Sequence, residues 1–208
     1  MSSAKKLFWL TLFAAAFALV EAAVVIYLRH LLISDGGYFP LKEIPPNILS
    51  VELDREAATM AILAVVAILS TGTTIGRLGV FMFVFGVWDI LYYAWLALLE
   101  GWPTSLLDWD LLFLIPVPWI APILAPVMVS VGLVICGGWL LLYEDESGRL
   151  GVTWRDWAVE LSAAGLILYS FMDNDRSTPP EVFPWLVFFA GLLGGVGYFV
   201  WRVSKSRT

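Results

Sequence analysis

Two carboxylates, Glu21 and Asp89, stand inside long apolar runs. An ionisable side chain in hydrocarbon is costly and marks a ligand site, a proton relay or a buried ion pair. Three chemistries are open to such groups: binding a cation, proton or small polar ligand; general acid–base work on a lipid-soluble substrate; and pairing with arginine to fix helix register. Asp89 has Tyr92 and Tyr93 at i+3 and i+4, which puts phenols on or near its helical face. Glu21 adjoins the stripe Ala14, Ala18 and Ala22, whose small side chains let helices approach closely, so it should face the bundle. Arg29 follows about two turns later on roughly the same side. Glu52, Arg55 and Glu56 open another apolar run, and Arg55 can reach Glu52 locally, or Glu21 or Asp89 on another helix. Asp110 precedes a proline-rich segment. The expectation is one outward-facing cluster made of Glu21, Arg29, Arg55, Glu56, Asp89, Tyr92, Tyr93 and Asp110. An oxygen-only site for a hard cation could draw on Glu21, Glu56 and Asp89.

The elements that must hold this cluster follow from composition. The chain has 208 residues, 60% hydrophobic and 14% charged, with mean hydropathy +0.84. A soluble domain is about 25% charged, so this is an integral membrane protein. A span needs about 20 apolar residues. Five runs at about 7–28, 57–76, 78–99, 157–172 and 182–201 are read as spans. The run from Leu111 to Tyr143 would reach about 50 Å as one helix, against a hydrocarbon core of about 30 Å. It carries Pro116, Pro118, Pro122 and Pro126, each of which breaks helical bonding in a helix interior. Residues 111–121 are therefore expected to be interfacial, broken or re-entrant, with 122–143 as the fourth span. The predicted fold is an all-α bundle of about six transmembrane helices in a single polytopic domain, 1–208. Lys5 and Lys6 before an apolar stretch resemble a secretory signal, but the run continues to Leu28 and reads as an uncleaved span.

Lysine and arginine bias sets the orientation. With the N-terminus in the cytoplasm, eight of these residues fall inside and four outside, which favours both termini inside a cell (inner or plasma) membrane. The predicted outer face is acidic, through residues such as Asp35, Glu43, Glu100, Asp173 and Glu181. Tryptophans such as Trp9, Trp102, Trp157 and Trp201 fall near span ends, as in an aromatic belt.

Other motifs read as packing or surface. Gly191 and Gly195 form a Gly-x-x-x-Gly pair suited to close packing within the bundle or to a homo-oligomer. Cys136 beside Gly137 and Gly138 reads as packing, and Asp156 and Glu160 as a solvated helix end. One cysteine and one histidine leave no basis for multi-cysteine or multi-histidine metal sites, and no Glu-x-x-His pattern for a di-metal bundle is present. A net charge of −6 argues against nucleic acid as a partner. Trp88-Asp89-Ile90 resembles the first three residues of the calcium-uniporter signature, but that family's glutamate position is Tyr92 here, and no role is carried over. The expected function is binding of a cation, proton or small polar ligand, for transport. The alternatives are a structural subunit of a larger membrane complex and an embedded enzyme. Expected partners are membrane lipids and other membrane subunits.

Overall fold

The computed structural model describes residues 3–32, 45–147, 151–172 and 182–206. Several acids of the expected outer face, Asp35, Glu43, Asp173 and Glu181 among them, lie outside the described residues. The elements are α1 (Ser3–Leu32), α2 (Pro46–Ser70), α3 (Thr74–Glu100), β1 (Trp109–Phe113), β2 (Trp119–Pro122), α4 (Leu124–Ser147), α5 (Trp154–Met172) and α6 (Trp185–Ser206). Four of these helices, α1, α3, α4 and α6, are long and apolar enough to cross a membrane. Large apolar side chains such as Leu12, Leu69, Ile135, Leu161 and Leu186 are exposed on the helix surfaces, which suits contact with lipid rather than water.

Two segments differ from the sequence expectation. Helix α2 starts at Pro46 rather than near residue 57 and stops at Ser70, so Gly76 belongs to α3. Proline is pre-organised for the first helical turn. Within the charged stretch Glu52–Glu56, Glu52, Arg55 and Glu56 find partners, while Asp54 is exposed. The break follows at Thr71–Gly72, and the Thr73 side chain caps α3 by accepting from the Gly76 N–H at 3.1 Å. The segment expected to be broken or re-entrant, 111–121, forms most of an antiparallel hairpin, with Asp110 opposite Ala121 and Leu111 opposite Ile120. Pro116 and Pro118 occupy its turn, where no ladder N–H is required. Pro126 sits in the first turn of α4, again without losing a helical bond.

Helices α3 and α4 pack antiparallel at backbone distance. A Cβ on Gly86 would lie 2.5 Å from the Ser130 carbonyl oxygen, and one on Gly137 would lie 2.6 Å from that of Gly79. Small residues matter here because lipid supplies no hydrophobic drive between helices, and dispersion at close approach must do the work. Helix α1 runs alongside α3, and α2 covers both, burying Ala14, Ala18, Leu63, Val80 and Val84 in one core. Helices α5 and α6 form a second pair. Gly191 and Gly195 lie within it: a Cβ on Gly191 would meet the Ala163 carbonyl oxygen at 2.7 Å. The pair docks on the hairpin through Phe171, Phe183 and Phe188, packed around Ala121 and Ala125.

At the start of α5 the expected solvated end is instead an ordered cap. The Asp156 carboxylate accepts from the Thr153 N–H at 2.6 Å, the Tyr198 hydroxyl at 2.8 Å and Arg202 Nε at 3.1 Å. Burial pushes this carboxyl up, but the Thr153 N–H, the Tyr198 and Thr153 hydroxyls and the Arg202 charge outweigh it and hold it at about 2.

Candidate functional site

Four elements converge near the hairpin end of the bundle. The last turns of α1 supply Glu21 and Arg29, the first turns of α2 supply Arg55 and Glu56, α3 supplies Asp89, Tyr92 and Tyr93, and β1 supplies Asp110. All eight residues singled out in the sequence line one cavity of about 140 Å³. The hairpin supplies one wall through Leu111 to Leu114. Backbone N–H groups that line a cavity need partners, and Glu56 supplies one here. Both Glu56 carboxylate oxygens accept from the Leu114 N–H at 2.9 Å.

The two arginines are fully engaged. Arg55 pairs with Glu21 and bridges to Glu52 at 2.8 Å, while the Thr59 hydroxyl donates to the other Glu21 oxygen at 2.8 Å. Arg29 pairs with Glu100 at 3.3 Å and Asp110 at 3.6 Å, and its guanidinium stacks over Trp102 at 3.8 Å. Such buried pairs hold helices in register, because removing one partner strands the other.

Asp89 is placed differently from expectation. Its partner is Ser130 of α4, whose hydroxyl donates at 2.8 Å, rather than either tyrosine. The Tyr93 hydroxyl donates instead to Asp110 at 3.2 Å. Tyr92 stacks on Trp88, with centroids 6.3 Å apart, and both line the cavity. Neither Glu56 nor Asp89 has an ion-pairing cation among the described residues. The Trp88 indole N–H is buried without a hydrogen-bond partner among them. Ser130, Glu52, Thr59 and Glu100 complete the cluster beyond the eight.

The oxygen-only set Glu21, Glu56 and Asp89 does not assemble: each carboxylate turns to its own donor, Arg55 with Thr59, Leu114 and Ser130 respectively. Among the described residues, no three His, Cys, Asp or Glu side chains are grouped to hold a metal ion. Among the described residues, the lining holds five carboxylates, Glu21, Glu52, Glu56, Asp89 and Asp110, against two arginines.

Compared with known proteins, the chain matches no family model, no curated protein and no solved structure.

Proposed function

We propose that this chain is an inner-membrane protein of about six spans, with both termini cytoplasmic, whose outward-facing acidic cluster binds a proton, a cation or a small polar ligand in the service of transport. One observation carries the reading. Among the described residues, five carboxylates share a small volume with two arginines, and the two left without an ionic partner there, Glu56 and Asp89, are held by neutral donors. Isolated carboxylate charge in such surroundings is strongly disfavoured, so it is balanced by protons or by a bound cation. The arginine pairs organise the walls, and Glu56 and Asp89 present the binding groups. The topology rests on lysine and arginine bias and, among the described residues, on six helices of which four have the length and apolarity of spans.

Tryptophan fluorescence of the protein in dodecyl maltoside tests this, because Trp88 lines the cavity. Sodium, calcium and tetramethylammonium are titrated separately, each at several pH values. The expected result is a saturable change with at least one cation or with protons, lost in Asp89→Asn and in Trp88→Phe. Absence of any saturable change in the wild-type protein would overturn the reading. A role as a structural subunit is favoured by the Arg55 and Arg29 pairs, and it predicts extraction in a stable complex with other polypeptides.

A further inference from the structure

A second compartment adjoins the acidic cavity. Between the α3/α4 pair and the α5/α6 pair runs a groove of about 560 Å³, walled almost wholly by aliphatic and aromatic side chains. Asp89, Leu112 and Phe113 line both volumes, so these three residues form the wall that the groove and the cavity share. Ser130, Cys136 and Leu140 of α4 all line the groove. Ten helical residues separate the first from the last, so it follows the helices for about 15 Å. This is the shape for an alkyl chain lying along a span.

The two ends differ in charge. At the far end Asp156 is already held by Arg202 and Tyr198, leaving Glu160 as the single carboxylate with no hydrogen bond or ion pair among the described residues. At the near end, among the described residues, the carboxylates outnumber the arginines, and both arginines are paired. The stacked Trp88 and Tyr92 rings add aromatic faces of the kind that attract ammonium groups. An anionic head would add to this excess of negative charge, and an uncharged head would leave it unbalanced.

We infer that the groove binds the tail of a single-chain amphiphile bearing an ammonium head, and that the head enters the acidic cavity beside Asp89. This rests on the cation-binding reading of the cavity and adds the ligand class: a lipid-soluble cation reaching its site from within the bilayer.

The test is photo-crosslinking of the full chain in dodecyl maltoside, whose head is uncharged. Three hexadecyl probes carry the same mid-chain diazirine and differ only in the head: trimethylammonium, hydroxyl or sulfonate. Labelled residues are mapped by mass spectrometry. The ammonium probe is expected to label groove residues of α4 and α5, with the hydroxyl and sulfonate probes about tenfold weaker, the scale of one lost charge contact. Asp89→Asn should lower ammonium labelling to the hydroxyl level. Ala164→Trp, which fills the groove from α5, should abolish labelling by all three, and Glu160→Gln should leave it within about twofold. Equal labelling by all three heads, or labelling that follows Glu160 rather than Asp89, would overturn the inference. Tetramethylammonium carries the head alone and reads the cavity by itself. If its fluorescence response persists while labelling ignores the head, the groove inference fails and the cavity reading stands. If head-dependent labelling appears without that response, the cavity reading for free cations fails instead.

Discussion

Replacing Arg55 by methionine is the sharpest perturbation of the walls. Arg55 holds Glu21 of α1 and Glu52 of its own helix, and the Glu21 side chain is only 7% exposed. Stranding one partner of a buried pair costs about 3–5 kcal/mol. The Arg55 side chain is 23% exposed, and the Thr59 hydroxyl still donates to Glu21, so both screening and a surviving bond reduce the loss. The expected cost is about 2–3 kcal/mol, just below that range. Glu21→Gln removes the stranded charge and keeps an acceptor for Thr59. The double variant Glu21→Gln/Arg55→Met should therefore be about 1.5 kcal/mol more stable than the two single losses sum to, as expected for residues in contact. Reversible unfolding in mixed micelles with rising dodecyl sulfate measures each corner of the cycle. An Arg55→Met loss below about 0.5 kcal/mol, or a strictly additive cycle, would refute the claim that this pair ties α1 to α2.

Three further outcomes follow from the geometry. Gly86→Ala places a Cβ against the Ser130 carbonyl, a backbone atom that cannot swing away; the expected loss is about 1–3 kcal/mol with a weakened Ser130–Asp89 contact, whereas Gly72→Ala, with open space around it, should change little, both read by thermal melts. Asp156→Ala removes the α5 cap and its link to α6, and should cost about 1–2 kcal/mol in the same assay. The pH dependence of that cap has a fixed sign. Because the folded Asp156 carboxyl is held at about 2, below its unfolded value, its contribution is present above about pH 4 and is lost as pH falls through 2, so the gap between wild type and Asp156→Ala should close on acidification.

How much of this was legible in the sequence divides along a physical line. Buried charge is expensive, so Glu21, Asp89 and their charged or phenolic neighbours stood out against apolar runs, and all eight line one cavity. Partner identity was less visible. Helical spacing tells which face Asp89 occupies but not which neighbouring helix supplies its donor. Ser130 gives no warning, since a lone serine in a span costs little, and the bond depends on the close α3/α4 approach at Gly86. The Leu114 N–H that holds Glu56 is backbone and has no sequence signature at all. Proline spacing correctly denied a continuous helix across 111–143, but strand pairing between 109–113 and 119–122 is a non-local choice that periodicity in one short apolar run does not reveal. Asp156 looked solvated because the cap partners Tyr198 and Arg202 lie on a different helix.

Infrared difference spectroscopy of the protein reconstituted in bilayers tests most directly whether Glu56 and Asp89 carry a proton or a bound cation. Spectra are compared across steps between about pH 5 and about pH 9, and on addition of tetramethylammonium. The expected result is a carboxylic-acid carbonyl band that changes with pH or cation, with separate parts of the change missing in Asp89→Asn and in Glu56→Gln. A spectrum with no such response in the wild-type protein, or one that both variants leave intact, would contradict binding at these two carboxylates and leave the cluster as a purely structural network.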